Sequence, residues 1–206
     1  NGRRAVQNVT KYVLMGSSSN FGNMFSMAGA VLFLPFLPML PIQVLLNNLL
    51  YDLSEIAIPF DRVDPEATAR PVNWDIKLLG RFMLVFGPLS SVFDFLTFYA
   101  LLHFFGAGVM LFQTGWFVES ITTQVLVVFT IRTKRRFFRS RPHKLLVATA
   151  VGSVTAAIVF PFLSVSRWFN LVAPPPLFFV FLVCATGAYL GLVEATKGFF
   201  YRSTDT

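Results

Sequence analysis

The chain has 206 residues, of which 55% are hydrophobic, 16% aromatic and only 13% charged, and its formal net charge is +7. So little polar surface cannot cover a water-soluble globule of this size, which excludes that class. A charge of +7 would point to nucleic acid in a soluble protein, but the placement of the basic residues gives it another meaning and excludes that partner.

Six apolar segments, at about 16–34, 41–58, 81–105, 115–131, 145–163 and 176–196, approach or exceed the roughly 20 residues that carry a helix across a bilayer. They predict an all-α fold, a polytopic bundle of six transmembrane helices occupying residues 1–206. Sixteen of the 17 Lys and Arg residues precede the first segment, follow the last, or fall between the second and third or the fourth and fifth. The alternate connections hold only Arg167, so both termini are expected on the cytoplasmic side. The opening NGRRAVQNVTKYV carries no secretory signal and no initiator Met, and it has the polar, basic character of the lower part of a longer helix. The chain is therefore expected to be the tail of a longer protein.

The first predicted helix runs from Arg3 to about Leu34 and carries SSSNFGN. Pro35, Pro38 and Pro41 bracket a turn, with Pro41 suited to the first turn of the next helix, so the first two spans are expected to form a tight hairpin. The second span, PIQVLLNNLLYDLSEIAI, contains Asp52, a carboxylate that costs several kcal/mol or more at membrane depth unless it faces a protein interior and has a task there. Asn48 and Asp52 are four apart and share a helix face, with Glu55 a turn further on; Asn20 and Asn23 are three apart on the first helix. Amide oxygens with one or two carboxylates suit a hard cation such as Mg²⁺ or Ca²⁺ rather than a thiolate-seeking metal. Asn47 and Gln43 fall off the Asn48 face and fit interhelical hydrogen bonds equally well.

The connection from Pro59 to Gly80 mixes Asp61, Asp64, Glu66 and Asp75 with Arg62, Arg70 and Lys77, and is expected to be a solvated loop that docks on another domain. Gly87-Pro88 predicts a kink in the third span, which also carries Asp94. That depth makes Asp94 a pathway candidate, although a hydrogen bond to a neighbouring helix is the preferred reading. The fourth span has Trp116 at an expected interface level and Glu119 within reach of the outer surface, both a further candidate ligand and a group that water could reach. RTKRRFFRSRPHK, residues 132–144 with a solvated His143, is expected to contact anionic lipid head groups. In the last span Cys184 reads as a small packing residue, Gly187 and Gly191 as a close helix contact, and Glu194 and Lys197 as a wetted pair. The two histidines are distant, Cys184 has no base nearby, and no Gly-rich phosphate loop occurs, so no hydrolytic arrangement is visible in the segment itself.

At these residues the sequence resembles the C-terminal membrane domain of P-type cation-transporting ATPases. SSSNFGN and LPFLPMLPIQVLLNNLLYD are similar to the fifth and sixth transmembrane helices of that superfamily, so the chain corresponds to helices five to ten. NLLYD with IPFDRVD, GRFMLVFGPLSSVFDFLTF, FQTGWFVES, TQ and IRT resemble specifically the magnesium-translocating branch. The resemblance implies ion ligands at Asn20, Asn23, Asn48 and Asp52, with Asn47, Glu55, Asp94 and Glu119 as further candidates. Asn23 stands where calcium pumps have a Glu, Tyr51 where they have a Thr, and Glu55 where a Gln belongs in this branch. Fewer anionic ligands imply one divalent ion, Mg²⁺, carried into the cytoplasm across a bacterial inner membrane. ATP would be used only through upstream phosphorylation and actuator domains, whose DKTGT and TGE motifs are not in these residues. A pump for calcium or another cation, and a stand-alone channel or structural membrane protein, are the alternatives.

Overall fold

The computed structural model describes residues 2–62, 76–133 and 135–204. Asp64, Glu66 and Asp75 of the expected docking loop, and Lys134 of the basic stretch, lie outside the described residues. Among the described residues the chain is helical, with no strand: α1 (Gly2–Val31), α2 (Pro41–Glu55), α3 (Ile76–Tyr99), α4 (Val109–Ile131), α5 (Lys144–Val159) and α6 (Pro176–Thr204). α3 runs on into a π-helical turn over Ala100–Phe104, and short 3₁₀ turns follow α2 and fill the connections on either side of α5. Four helical stretches, residues 76–104, 109–131, 144–162 and 176–201, are long and apolar enough to cross a membrane. α2 has only 15 residues, and α1 is long but broken up by its Ser and Asn residues.

Local chemistry sets the helix starts. Pro41 occupies the first turn of α2, and Gln43 reaches back so that its Oε1 accepts from the Leu40 N–H at 2.9 Å. The other end of the same amide donates to the Phe169 carbonyl at 2.8 Å, tying the start of α2 to the connection before α6. His143, expected to be solvated, instead caps α5, its Nδ1 accepting from the Leu145 N–H at 3.2 Å.

α4 is the axis of the bundle. It packs against all five other helices, and Phe112, Trp116, Phe117, Val118, Ile121 and Val125 along it are almost wholly buried. Trp116 is only 1% exposed, so its ring faces the bundle interior and not the expected interface, whereas Trp168 in the connection before α6 is 81% exposed. The tight hairpin of α1 and α2 does not form either. α1 lies along α3, while α2 packs on α5 and α4. The reason is glycine: a Cβ on Gly87 would sit 2.4 Å from Phe21 Cδ1, and one on Gly29 would sit 2.5 Å from Phe95 Cζ. These bare positions let α1 and α3 close on one another, and Ser91 Oγ–H donates across the contact to the Gly22 carbonyl at 3.0 Å. The expected close contact in α6 is absent, since nothing approaches within 4 Å of a Cβ on Gly187 or Gly191 and both face outward, as does Cys184.

At the base of the bundle Asp61, just past α2, is not a solvated loop acid. It is 6% exposed and accepts from Lys11 Nζ on α1 (3.0 Å), Arg132 Nη1 at the end of α4 (2.9 and 3.2 Å) and the His143 N–H before α5 (3.2 Å). Asn8 Nδ2 adds bonds to the Pro59 and Asp61 carbonyls at 3.0 and 3.2 Å. Arg132 is therefore not turned to lipid: it is 3% exposed and its other arm donates to the Ser140 carbonyl. Lys197 is likewise buried, not wetted. It pairs with Glu194 at 2.7 Å and donates to the Thr130 and Arg135 carbonyls at 2.8 Å each, which places a cation at the carbonyl end of α4.

Burial alone would push the Asp61 carboxyl up, but Lys11 and Arg132 outweigh it and hold it below the ordinary carboxylate range. Stability from this group is thus fully present above the unfolded-chain value of about 3.9 and is lost as pH falls below it. Asp61→Asn should destabilise the protein by about 3–5 kcal/mol at neutral pH, since it leaves Arg132 buried without its counter-charge. Thermal unfolding in detergent followed from pH 7 downward should show the variant with a shallower acid limb than the native chain. Gly87→Ala should cost about 1–3 kcal/mol in the same assay by driving Phe21 out of its place.

Candidate functional site

The α2 helix divides the predicted ligands between two faces. Gln43, Asn47, Tyr51, Ser54 and Glu55 point into the bundle, whereas Asn48 and Asp52 are exposed on the opposite side among Leu45, Leu49, Leu53 and Ile56. On α1, Asn20 is also exposed, while Asn23 is half-buried and its Oδ1 accepts from Ser120 Oγ on α4 at 3.3 Å. The chain therefore does not close the four predicted oxygens into one shell. Asn20, Asn48 and Asp52 stand on surface that this chain leaves uncovered, and Asn23 turns toward α4. Among the described residues no three His, Cys, Asp or Glu side chains converge as metal ligands do.

Behind that surface lies Glu55, 2% exposed, with Oε1 accepting from the Tyr51 hydroxyl at 2.6 Å and Oε2 accepting from nothing. Tyr51 also meets Ser19, and Gly16 lies close to Glu55, which is where α1 and α2 come together. The phenol that stands in a threonine's place thus spends its hydrogen on a neighbouring acid. Asn47 is 1% exposed, and neither its oxygen nor its nitrogen has a partner among the described residues.

Deeper still, Asp94 sits at the junction of α1, α3 and α4. Its Oδ2 accepts from Ser26 Oγ at 2.5 Å and its Oδ1 from Trp116 Nε1 at 2.9 Å, so the carboxylate is hydrogen-bonded to neighbouring helices as its depth suggested. Glu119 is 1% exposed and lies against Asp94 and Thr123, and therefore does not reach water. One turn on, Gln124 Nε2 donates to Ser120 Oγ, linking the α4 polar line to Asn23. Sequence reasoning overlooked Ser26, Ser120 and Tyr51 as members of this interior. Ser26 was open to discovery, because it continues the Asn20–Asn23 spacing by three more residues and so extends one polar stripe.

A bundle of helices, four of them long and apolar enough to cross a membrane, defines the class of integral membrane domains. The chain matches the family described as "Cation transporting ATPase, C-terminus" over residues 36–199, and it belongs to that family. It is 45% identical over 206 residues to the "Magnesium-transporting ATPase, P-type 1" of Escherichia coli strain K12, an alignment covering 98% of this chain and 23% of that protein. The protein of the same description from Salmonella typhimurium strain LT2 is 44% identical over 206 residues, with the same coverage, 98% of this chain and 23% of that protein. The "Calcium-transporting ATPase" of Bacillus subtilis strain 168 is 27% identical over 171 residues, covering 77% of this chain and 18% of that protein. The chain thus spans about a quarter of the length of the magnesium-transporting relatives it matches.

Trp116→Phe keeps the ring in its packing place and removes the N–H that Asp94 accepts. It should lower stability by about 1.5–3 kcal/mol, the range for a hydrogen bond to a charged group. Chemical denaturation of the detergent-solubilised protein is the measurement, and Ser26→Ala combined with it should cost less than the sum of the two, because both donors serve one carboxylate.

Proposed function

We propose that this chain is the cation-binding membrane domain of an ATP-driven magnesium pump of the bacterial inner membrane, spanning it with six helices and leaving both termini in the cytoplasm. The observation that carries the reading is Asp52, exposed in company with Asn48 on an otherwise apolar face of α2. A carboxylate turned toward hydrocarbon costs several kcal/mol or more, so that face belongs against another protein element rather than lipid. The length of the magnesium-transporting relatives supports upstream helices as that element, together with the phosphorylation and actuator domains through which ATP would act.

In this reading Asp52 supplies the charge, Asn48 and Asn20 supply amide oxygens, and water and an upstream helix complete the shell. A single carboxylate with amides suits Mg²⁺, which dehydrates reluctantly and keeps several of its waters. Asn23 and Glu55 have part of their acceptor capacity taken by Ser120 and Tyr51, and are secondary ligands. Asn47 is poised behind Asn48 with both amide atoms unpartnered. Tilting of α1 changes the distance of Asn20 from α2, because α1 is fastened to α3 and to the base of the bundle through Lys11 and Asp61, and meets α2 near Gly16 and Ser19. That motion would open the ion to one side and then to the other. The exposed Arg135, Arg136, Arg139 and Arg141 beside Phe137 and Phe138 form the surface for anionic lipid. The similarity to a calcium-transporting protein keeps Ca²⁺ as the second reading.

Asp52→Asn in the complete pump should abolish Mg²⁺-stimulated ATP hydrolysis while membrane insertion and the detergent unfolding curve stay native, since charge changes and shape does not. Val183→Ala, on the outward side of α6 and away from that face, should leave the activity intact. Stimulation by Ca²⁺ and not Mg²⁺ in the native protein would move the reading to the second cation, and undiminished Mg²⁺ stimulation in Asp52→Asn would remove Asp52 from the site.

A further inference from the structure

α2 carries polar residues on two sides, and what holds its inward side decides where the outward side points. Tyr51 and Asp52 are consecutive, so their side chains leave the helix about 100° apart and cannot turn independently. Asp52 and Asn48 are exposed, whereas Tyr51 and Glu55 are buried. The Tyr51 ring belongs to the apolar cluster that includes Phe98 of α3, Phe117 and Ile121 of α4 and Ala150 of α5. Glu55 lies against α1, where its Oε2 would be 3.8 Å from a Cβ on Gly16.

This interior suits a ring, but a hydroxyl and a carboxyl are unfavourable in it unless each has a hydrogen-bond partner. They have one another: the Tyr51 hydroxyl donates to Glu55 Oε1 at 2.6 Å, one turn along the same helix. The same turn is tied to α5, since Thr149 Oγ1 donates to the Ser54 carbonyl at 3.0 Å and the Ser54 hydroxyl donates to the Tyr51 carbonyl at 2.6 Å. Gln43 is bonded at the start of the helix, and Asn47 between the two anchors has no partner among the described residues. The anchor next to Asp52 is therefore the one at Tyr51.

Without the phenol hydrogen the Glu55 carboxyl would be left buried with no donor, and a turn of α2 that carries it toward the uncovered surface relieves that. Asp52 turns with it. Side-chain oxygens lie about 6 Å from a helix axis, so a turn of about 20° shifts the Asp52 carboxylate by about 2 Å. That is the length of a Mg²⁺–oxygen bond, in an ion that demands near-octahedral geometry.

We propose that Tyr51 is a positioning residue of the cation site: by donating to Glu55 it keeps the inward side of α2 in the bundle, and so aims Asp52 and Asn48 at the ion without touching it. The inference rests on the reading of Asp52 as the charged ligand.

The test measures the free Mg²⁺ concentration that half-stimulates ATP hydrolysis by the complete protein, with MgATP held constant, alongside the maximal rate and the detergent unfolding curve. Tyr51→Phe keeps the ring and removes the hydrogen. It should raise the Mg²⁺ requirement about tenfold with the maximal rate near native, a split that loss of folded protein alone does not give. Glu55→Gln, whose amide oxygen still accepts the phenol hydrogen, should stay within about threefold of native. Tyr51→Phe combined with Glu55→Leu leaves neither a buried donor nor a buried acceptor unmet, and should return to within about threefold of native. A native requirement in Tyr51→Phe, a Glu55→Gln as impaired as Tyr51→Phe, or a double variant no better than Tyr51→Phe would overturn the proposal, the last two by giving the carboxyl itself to the ion. A native protein that answers to another divalent cation removes magnesium as cargo, and the same comparison run with that cation still decides on Tyr51. A native protein that no divalent cation stimulates removes both.

Discussion

A carboxyl group taken out of water has to be given a counter-charge, a set of hydrogen-bond donors or a proton, and the arrangement of this bundle follows from how each of its acids meets that demand. Asp61 is met by cations: Lys11 and Arg132 reach it from two helices, and the backbone before α5 is drawn in by the His143 N–H. Asp94 is met by donors from α1 and α4. Asp52 is exposed and has neither a counter-charge nor a donor among the described residues.

These differences grade the helices by freedom to move. α4 is enclosed by the other described helices, with Asp94 of α3 bonded to its Trp116 and Lys197 of α6 bonded to the carbonyl end at Thr130. α1 is fastened firmly to α3 through bare glycine surface and through Ser26, yet barely to α2. A cation shared between α1 and α2 would therefore lie across the loosest seam of the bundle. Tight packing elsewhere makes that seam the place where a displacement of α1 is felt, as interiors at close-packed density transmit strain rather than absorb it.

Much of the outline was legible from the chain itself, because it depends on local and one-dimensional quantities. Apolar runs marked the helices, Pro41 marked the start of α2, and the depth of Asp94 indicated that it must bond to a neighbouring helix. The errors have a common cause. Trp116, Glu119, Arg132 and Lys197 were assigned to water, lipid or the interface from their position along the membrane normal alone, and all four are buried. Depth along the normal says nothing about rotation around a helix axis, and each of these side chains points inward. Gly187 and Gly191 erred in the opposite direction: small residues permit a close contact without requiring one, and the contact forms at Gly22, Gly29 and Gly87 because Phe21 and Phe95 are there to fill it.

The sequence by itself determined that this is a helical membrane protein, that all but one of its Lys and Arg residues fall in alternate connections, and which side chains have oxygen suited to a hard cation, since composition and spacing depend on neither partner nor angle. Only the tertiary structure decided that Asn48 and Asp52 face away from Tyr51 and Glu55, that α1 takes α3 and not α2 as its neighbour, and that Asp94 meets Ser26 and Trp116. Those outcomes rest on which faces of the described helices are bare enough to approach one another, and a 3.6-residue repeat presents every face until packing selects one.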